Sequence, residues 1–131
     1  MNRRITLCIL LAAMLAFTLY EELSLRPYWI KNHVNTYTVA DWLPNLLAPI
    51  ILVLTYTLLK DITDKAVLLK STFSLVIGLI IYEIMQLFMP SRTFDHKDII
   101  ASIVGGTLIY HIVCAVFDFF PLPPGEPSPA D

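Results

Sequence analysis

Apolar and polar positions fall in long blocks along this chain rather than alternating residue by residue. Four apolar stretches run from Ile5 to Tyr20, from Trp42 to Leu59, from about Leu68 to Met89, and from Ile99 to Phe120. Each is near the roughly 20 residues that a helix needs to cross about 30 Å of hydrocarbon. A helix pairs every backbone polar group within its own segment, which lipid demands, and no alternating barrel pattern is present. The pattern predicts an all-α integral membrane bundle of four transmembrane helices, at residues 5–20, 42–59, 68–89 and 99–120, in one domain covering residues 1–120. The remainder, PLPPGEPSPAD at residues 121–131, holds five of the nine prolines and is expected to be a disordered or extended tail.

Composition agrees. The 131 residues favour one domain. The chain is 56% apolar and 15% charged, against about 25% charged in ordinary soluble domains. A soluble protein of this size has too little interior for so much apolar surface. That excludes a soluble enzyme, a disordered chain and a disulfide-stapled secreted module. A net charge of −2 leaves no basic footprint for nucleic acid. Cys8 and Cys114 both sit in apolar runs and read as small hydrophobes, not as a redox pair or a zinc site.

The connections carry the next information. Arg3 and Arg4 open the first stretch like a signal peptide, but the apolar run is long and no small-x-small cleavage site follows, which favours an uncleaved helix. The link from Glu21 to Asp41 is the longest and carries Arg26-Pro27 with Tyr28, Trp29 and Tyr37, aromatics suited to a membrane–water boundary. Asp41 reads as a helix cap with Pro44 in the first turn, and Pro49 is expected to kink the second helix. The short connection around Pro90-Ser91-Arg92 makes the third and fourth helices antiparallel neighbours. With the N-terminus inside, Arg3, Arg4, Lys60, Lys65 and Lys70 are cytoplasmic, while Arg26, Lys31, Arg92 and Lys97 are outside. The arginine pair and the compact lysine cluster favour this orientation, with both termini cytoplasmic in a multi-pass inner (plasma) membrane protein.

Candidate chemistry concentrates between Tyr82 and Gly106. Glu83 lies about two turns inside the end of an apolar helix, where an ionised carboxylate is costly and needs a partner or a proton. Gln86 is three residues on and shares its face. Arg92 follows just past the turn and is the obvious counter-charge for Glu83, Asp95 or Asp98. At 100° per residue, Asp95, Asp98, Ser102, Gly105 and Gly106 fall on one side of the fourth helix. The two antiparallel helices are expected to bring Glu83 and Gln86 opposite Asp98 and Ser102 in a small polar nest closed by Arg92. Asp95 also reads as a helix cap, Asp98 suits the first turn, and the glycines suit close helix packing. His96 with Asp95 and Asp98 offers donors for a divalent ion, without diagnostic spacing. Thr107, His111, Cys114 and Asp118 stripe the opposite side, and Ser71, Ser74 and Gly78 suggest another helix contact. No phosphate loop, nucleophile elbow or zinc-protease motif is present, and no metal or cofactor is expected.

At these residues the chain resembles the VanZ-like family of small bacterial membrane proteins. The shared pattern is a Glu-x-x-Gln near a helix end, a short loop with Arg, an Asp-containing start of the next helix, and then small residues. Here these are Glu83, Gln86, Arg92, Asp95, Asp98 and Gly105. The segment Asp41 to Ala48 also resembles the stretch preceding a helix in such proteins, so the resemblance covers roughly Asp41 to Phe117. Ser102 departs from the family, which often has Asn there. The namesake is associated with resistance to the glycopeptide teicoplanin. The resemblance implies an envelope protein whose partners are membrane lipids or lipid-linked cell-envelope molecules. In that setting Arg92 holds an anion, Glu83 gives or takes a proton, Asp98 orients it, and Gln86, Asp95 and Ser102 complete the binding surface. Whether catalysis follows binding is left open, as is a homo-oligomer. A non-catalytic scaffold and a small transporter are the alternatives. Clustering of the polar residues at one end disfavours the transporter.

Overall fold

The computed structural model describes residues 2–32, 42–89 and 95–121, and among these every regular element is helical. Helix α1 (Arg3–Tyr20) continues without a break through a π turn (Glu21–Leu25) into α2 (Arg26–Lys31). Helices α3 (Leu43–Leu59), α4 (Lys65–Met85) with a terminal 3₁₀ turn (Gln86–Phe88), and α5 (His96–Phe119) follow. Three units are long and apolar enough to cross a membrane: Arg3–Lys31, Lys65–Phe88 and His96–Phe119. Leu43–Leu59 is a shorter apolar helix of 17 residues, about 25 Å long.

Capping sets the boundaries that hydropathy left loose. The third apolar stretch was expected to start near Leu68, but α4 starts at Lys65 because the Asp64 carboxylate accepts from the backbone N–H groups of Ala66 and Val67. Helix α5 starts at His96, three residues ahead of the apolar stretch, with Asp95 as the expected cap, accepting from the N–H of Lys97 at 3.0 Å. The larger correction concerns the first link. Glu21 to Lys31, expected as connection, is helix. Pro27 supplies no N–H and its ring crowds the carbonyl one turn earlier. The π turn widens the backbone just ahead of it, with the Arg26 N–H donating to the Glu21 carbonyl. Tyr28 and Trp29 therefore ride on a helix.

Between α3 and α4 the chain turns in a Schellman arrangement. Asp61 adopts φ 49°, a left-handed conformation that Asp tolerates. The Ile62 N–H then reaches back to the Thr57 carbonyl at 3.0 Å, and the Ile62 side chain is buried.

Two contacts fix how the helices run. Lys65 at the start of α4 pairs with Asp118 at the end of α5 at 2.6 Å, so α4 and α5 are antiparallel, as the short connection implied. The Arg3 guanidinium lies over the Phe117 ring at 4.2 Å, so α1 is also antiparallel to α5. Helices α3 and α5, in contrast, are parallel, because Asn45 near the start of one meets Ser102 near the start of the other. The core gathers Leu7, Ile50, Val53, Leu54, Leu68, Ile109, Val113 and Phe117 from all four long helices.

Two adjacent glycines bring α5 close to two neighbours at once. A Cβ at Gly105 would collide with the backbone carbonyl of Leu46 and approach the Pro49 ring to 2.8 Å. A Cβ at Gly106 would collide with a methyl of Val76. One glycine serves α3 and the next serves α4, as their 100° separation allows. The expected contact at Ser71, Ser74 and Gly78 is not formed among the described residues. Nothing lies within 4 Å of a Cβ at Gly78, and Ser74 and Gly78 are exposed.

Candidate functional site

The polar residues lie at the end of the bundle opposite the Lys65–Asp118 pair. Glu83 and Gln86 are buried at 6% and 7% exposure, and the Gln86 side-chain amide donates to Glu83 Oε2 at 2.9 Å. The bond arises locally. Glu83 is in the last turn of α4 and Gln86 opens the 3₁₀ turn, three residues on, where side chains eclipse. A hydrogen bond to a buried carboxyl group offsets part of its desolvation.

The level of Glu83 follows from the helix register. Val76 sits against Gly106, and Lys65 pairs with Asp118. At equal rise per residue in antiparallel helices, Glu83 comes level with Ile99–Ile100, between the levels of Asp98 and Ser102. Asp98 is half-buried in the first turn of α5, and its backbone N–H donates to the Asp95 carbonyl at 3.1 Å. Asp95 itself is committed to capping. Arg92, Asp41, Tyr37 and the tail beyond Pro121 lie outside the described residues.

Ser102 bonds across to α3. It is 2% exposed, and its hydroxyl donates to the Asn45 carbonyl at 3.3 Å. The sequence explains why that carbonyl is vacant. In an α-helix its donor would be the N–H of residue 49, and residue 49 is proline. Ser102 repairs from α5 the hydrogen bond that Pro49 removes from α3, as hydroxyl side chains do for broken ladders inside membranes. Ser102→Ala should therefore cost about 1 kcal/mol in the native background, and less in a Pro49→Ala background, where residue 49 supplies its own donor. A double-mutant cycle of thermal stability in detergent checks this. Equal costs in both backgrounds would show that the two positions are independent.

The other stripe on α5 is spent on local contacts. Thr107 donates to the Ile103 carbonyl at 2.8 Å, Asp118 holds Lys65, and His111 stacks edge-on with Tyr110 at 5.4 Å. Both cysteines are free. Among the described residues no group of three or more His, Cys, Asp or Glu side chains is placed to hold a metal ion, His96 with Asp95 and Asp98 included. Below the polar end, α4 and α5 leave an apolar groove of about 450 Å³ lined by Leu69, Thr72, Val76, Ile80, Ile103 and Gly106.

The residue that sequence reading passed over is Glu21. It was assigned to a link, yet it is completely buried within a continuous helix. The signal available was the apolar run Leu23, Leu25, Tyr28, Trp29 and Ile30, which extends helical character past the two acids. No family model, no curated protein and no solved structure matches this chain.

Proposed function

We propose that the chain is a VanZ-like integral membrane protein of the bacterial cell envelope that binds the polar or anionic headgroup of a lipid-linked molecule. In this reading Leu43–Leu59 is a fourth span, and both termini are cytoplasmic. The polar end then faces the outer leaflet, where lipid-linked wall precursors are found. The observation that carries the proposal is the buried, hydrogen-bonded Glu83–Gln86 pair at one end of α4. An acid in that position is an expensive way to pack two helices. Arg92, six residues after Gln86 in the sequence, carries a guanidinium suited to bidentate binding of a phosphate or carboxylate. The groove between α4 and α5 offers apolar surface directly below for the chain that carries the headgroup.

The scaffold reading keeps one specific support, the use of Ser102 to repair α3. Glu83→Gln and Arg92→Lys separate the two. The first preserves shape and hydrogen bonding, and the second preserves charge but not the guanidinium fork. As a site, both variants stay as stable as the native protein in detergent. Bound lipid, read by native mass spectrometry, and teicoplanin tolerance in a sensitive host should each fall about tenfold, the loss of roughly one charge-assisted hydrogen bond. As a scaffold, stability and activity fall in step. Native activity in two stable variants would defeat the binding proposal.

A further inference from the structure

We infer that Glu21 is a proton-binding site, a carboxylic acid held undissociated at a buried position of the first helix and separate from the Glu83–Gln86 pair. The helix Arg3–Lys31 is otherwise a peripheral one. Along its whole length only Leu7 and Glu21 are buried. They are 14 residues apart, close to four full turns, and so share one face. Leu7 uses that face to enter the core cluster that also holds Val53 and Leu54 of α3. Glu21 is the second buried position on that face, and a hydrophobe would fill it more cheaply.

Its charged form has no hydrogen-bond donor among the described residues. Glu21 is 0% exposed, and both carboxyl oxygens are buried without a hydrogen-bond partner among the described residues. The one cation nearby on its own helix, Arg26, is engaged by Glu22, whose Oε1 accepts from Arg26 Nη1 at 2.8 Å. Tyr28 and Lys31 lie further along and are exposed. Helix α3 carries one titratable side chain, Tyr56, at its far end. Helix α5 meets α1 at Phe117, also at the far end, and has His96, Lys97 and Asp98 near the level of Glu21 and Tyr110, His111, Cys114 and Asp118 below. An isolated buried carboxylate is far costlier than the neutral acid, so the group is neutralised by taking up a proton.

Geometry also separates it from the other acid. Glu21 is 18 residues from Arg3, and Glu83 is 18 residues from Lys65. Arg3 and Lys65 are pinned to neighbouring residues of α5, Phe117 and Asp118, so the two acids stand at one level. Yet α1 and α4 make no contact among the described residues. The acids are two independent groups on opposite sides of the α3–α5 pair. The π turn that begins at Glu21 marks the same point, a backbone feature frequent at working sites.

Dicyclohexylcarbodiimide, which partitions into membranes and attacks undissociated acids, tests this directly. The acid proton moves to one carbodiimide nitrogen while the carboxyl oxygen bonds to the central carbon. The acyl group then shifts from oxygen to nitrogen, leaving a stable N-acylurea with no leaving group. Full-length protein in native membranes should gain this adduct on the peptide carrying Glu21, and the yield should fall as pH rises from about 6 to about 9. Glu21→Gln should remove it, and Glu83→Gln should leave it in place. A water-soluble carbodiimide with an amine nucleophile should not modify Glu21. The proposal is overturned by an unlabelled Glu21 in the native protein, or by a yield indifferent to pH. Protection by sodium at fixed pH also overturns it, because the ligand is then a metal cation.

Discussion

Gly105→Ala is expected to cost about 3 kcal/mol or more, the upper range for forcing extra volume into a packed interior. The added methyl meets the Leu46 carbonyl and the Pro49 ring. Neither can rotate away, since one is backbone and the other a closed ring inside a helix. Relief requires moving α3 off α5, and that contact is the most extensive in the bundle. Gly106→Ala meets a Val76 methyl, a side chain stiff at χ1 but movable with its helix, and should cost about 1–2 kcal/mol. Gly78→Ala meets nothing and should be neutral or stabilising by up to about 1 kcal/mol through helix propensity. Thermal unfolding of the three variants in one detergent checks the ranking. An equal response at Gly105 and Gly78 would remove the close α3–α5 approach from the account.

Leu54→Ala should cost about 2–5 kcal/mol, the range for emptying a filled core position. Leu54 is 0% exposed at the centre of α3. Its loss leaves a cavity walled by several helices, which cannot collapse without shifting more than one of them. Phe73→Ala removes a larger side chain but should change stability by no more than about 0.5 kcal/mol. Phe73 is 66% exposed at the edge of the α4–α5 groove, where detergent or lipid replaces it. Denaturation monitored by tryptophan fluorescence gives both values. Similar losses would mean that Phe73 is covered by a partner, and a small loss at Leu54 would mean that α3 is not central.

The helices were legible because lipid-length apolar runs admit few structures, and their order and the antiparallel α4–α5 pair came with them. Their starts were not legible from hydropathy, since Asp64 and Asp95 are polar and yet begin helices by capping. Glu21 was misplaced for a related reason. Two acids and a proline look like a loop, and only a π turn lets the chain remain helical through Pro27. On the candidate site, sequence periodicity correctly paired Glu83 with Gln86, because a spacing of three within one helix fixes both. It assigned Ser102 to the same nest, and a helical wheel gives a direction but not the bond that the Ser102 hydroxyl makes to the Asn45 carbonyl of α3. Ser102 and Gly105 serve α3, while Gly106 serves α4.

Pro49 and Ser102 lie 53 positions apart and are coupled through one backbone carbonyl, that of Asn45. As long as position 49 is proline, a hydroxyl at position 102 is favoured, because it supplies the donor that the Asn45 carbonyl loses to Pro49. If position 49 drifts to a residue with an N–H, the constraint on 102 is lifted, and an amide or an apolar residue becomes acceptable there. A change at 102 is then costly before a change at 49 and close to neutral after it, so the order of the two substitutions matters.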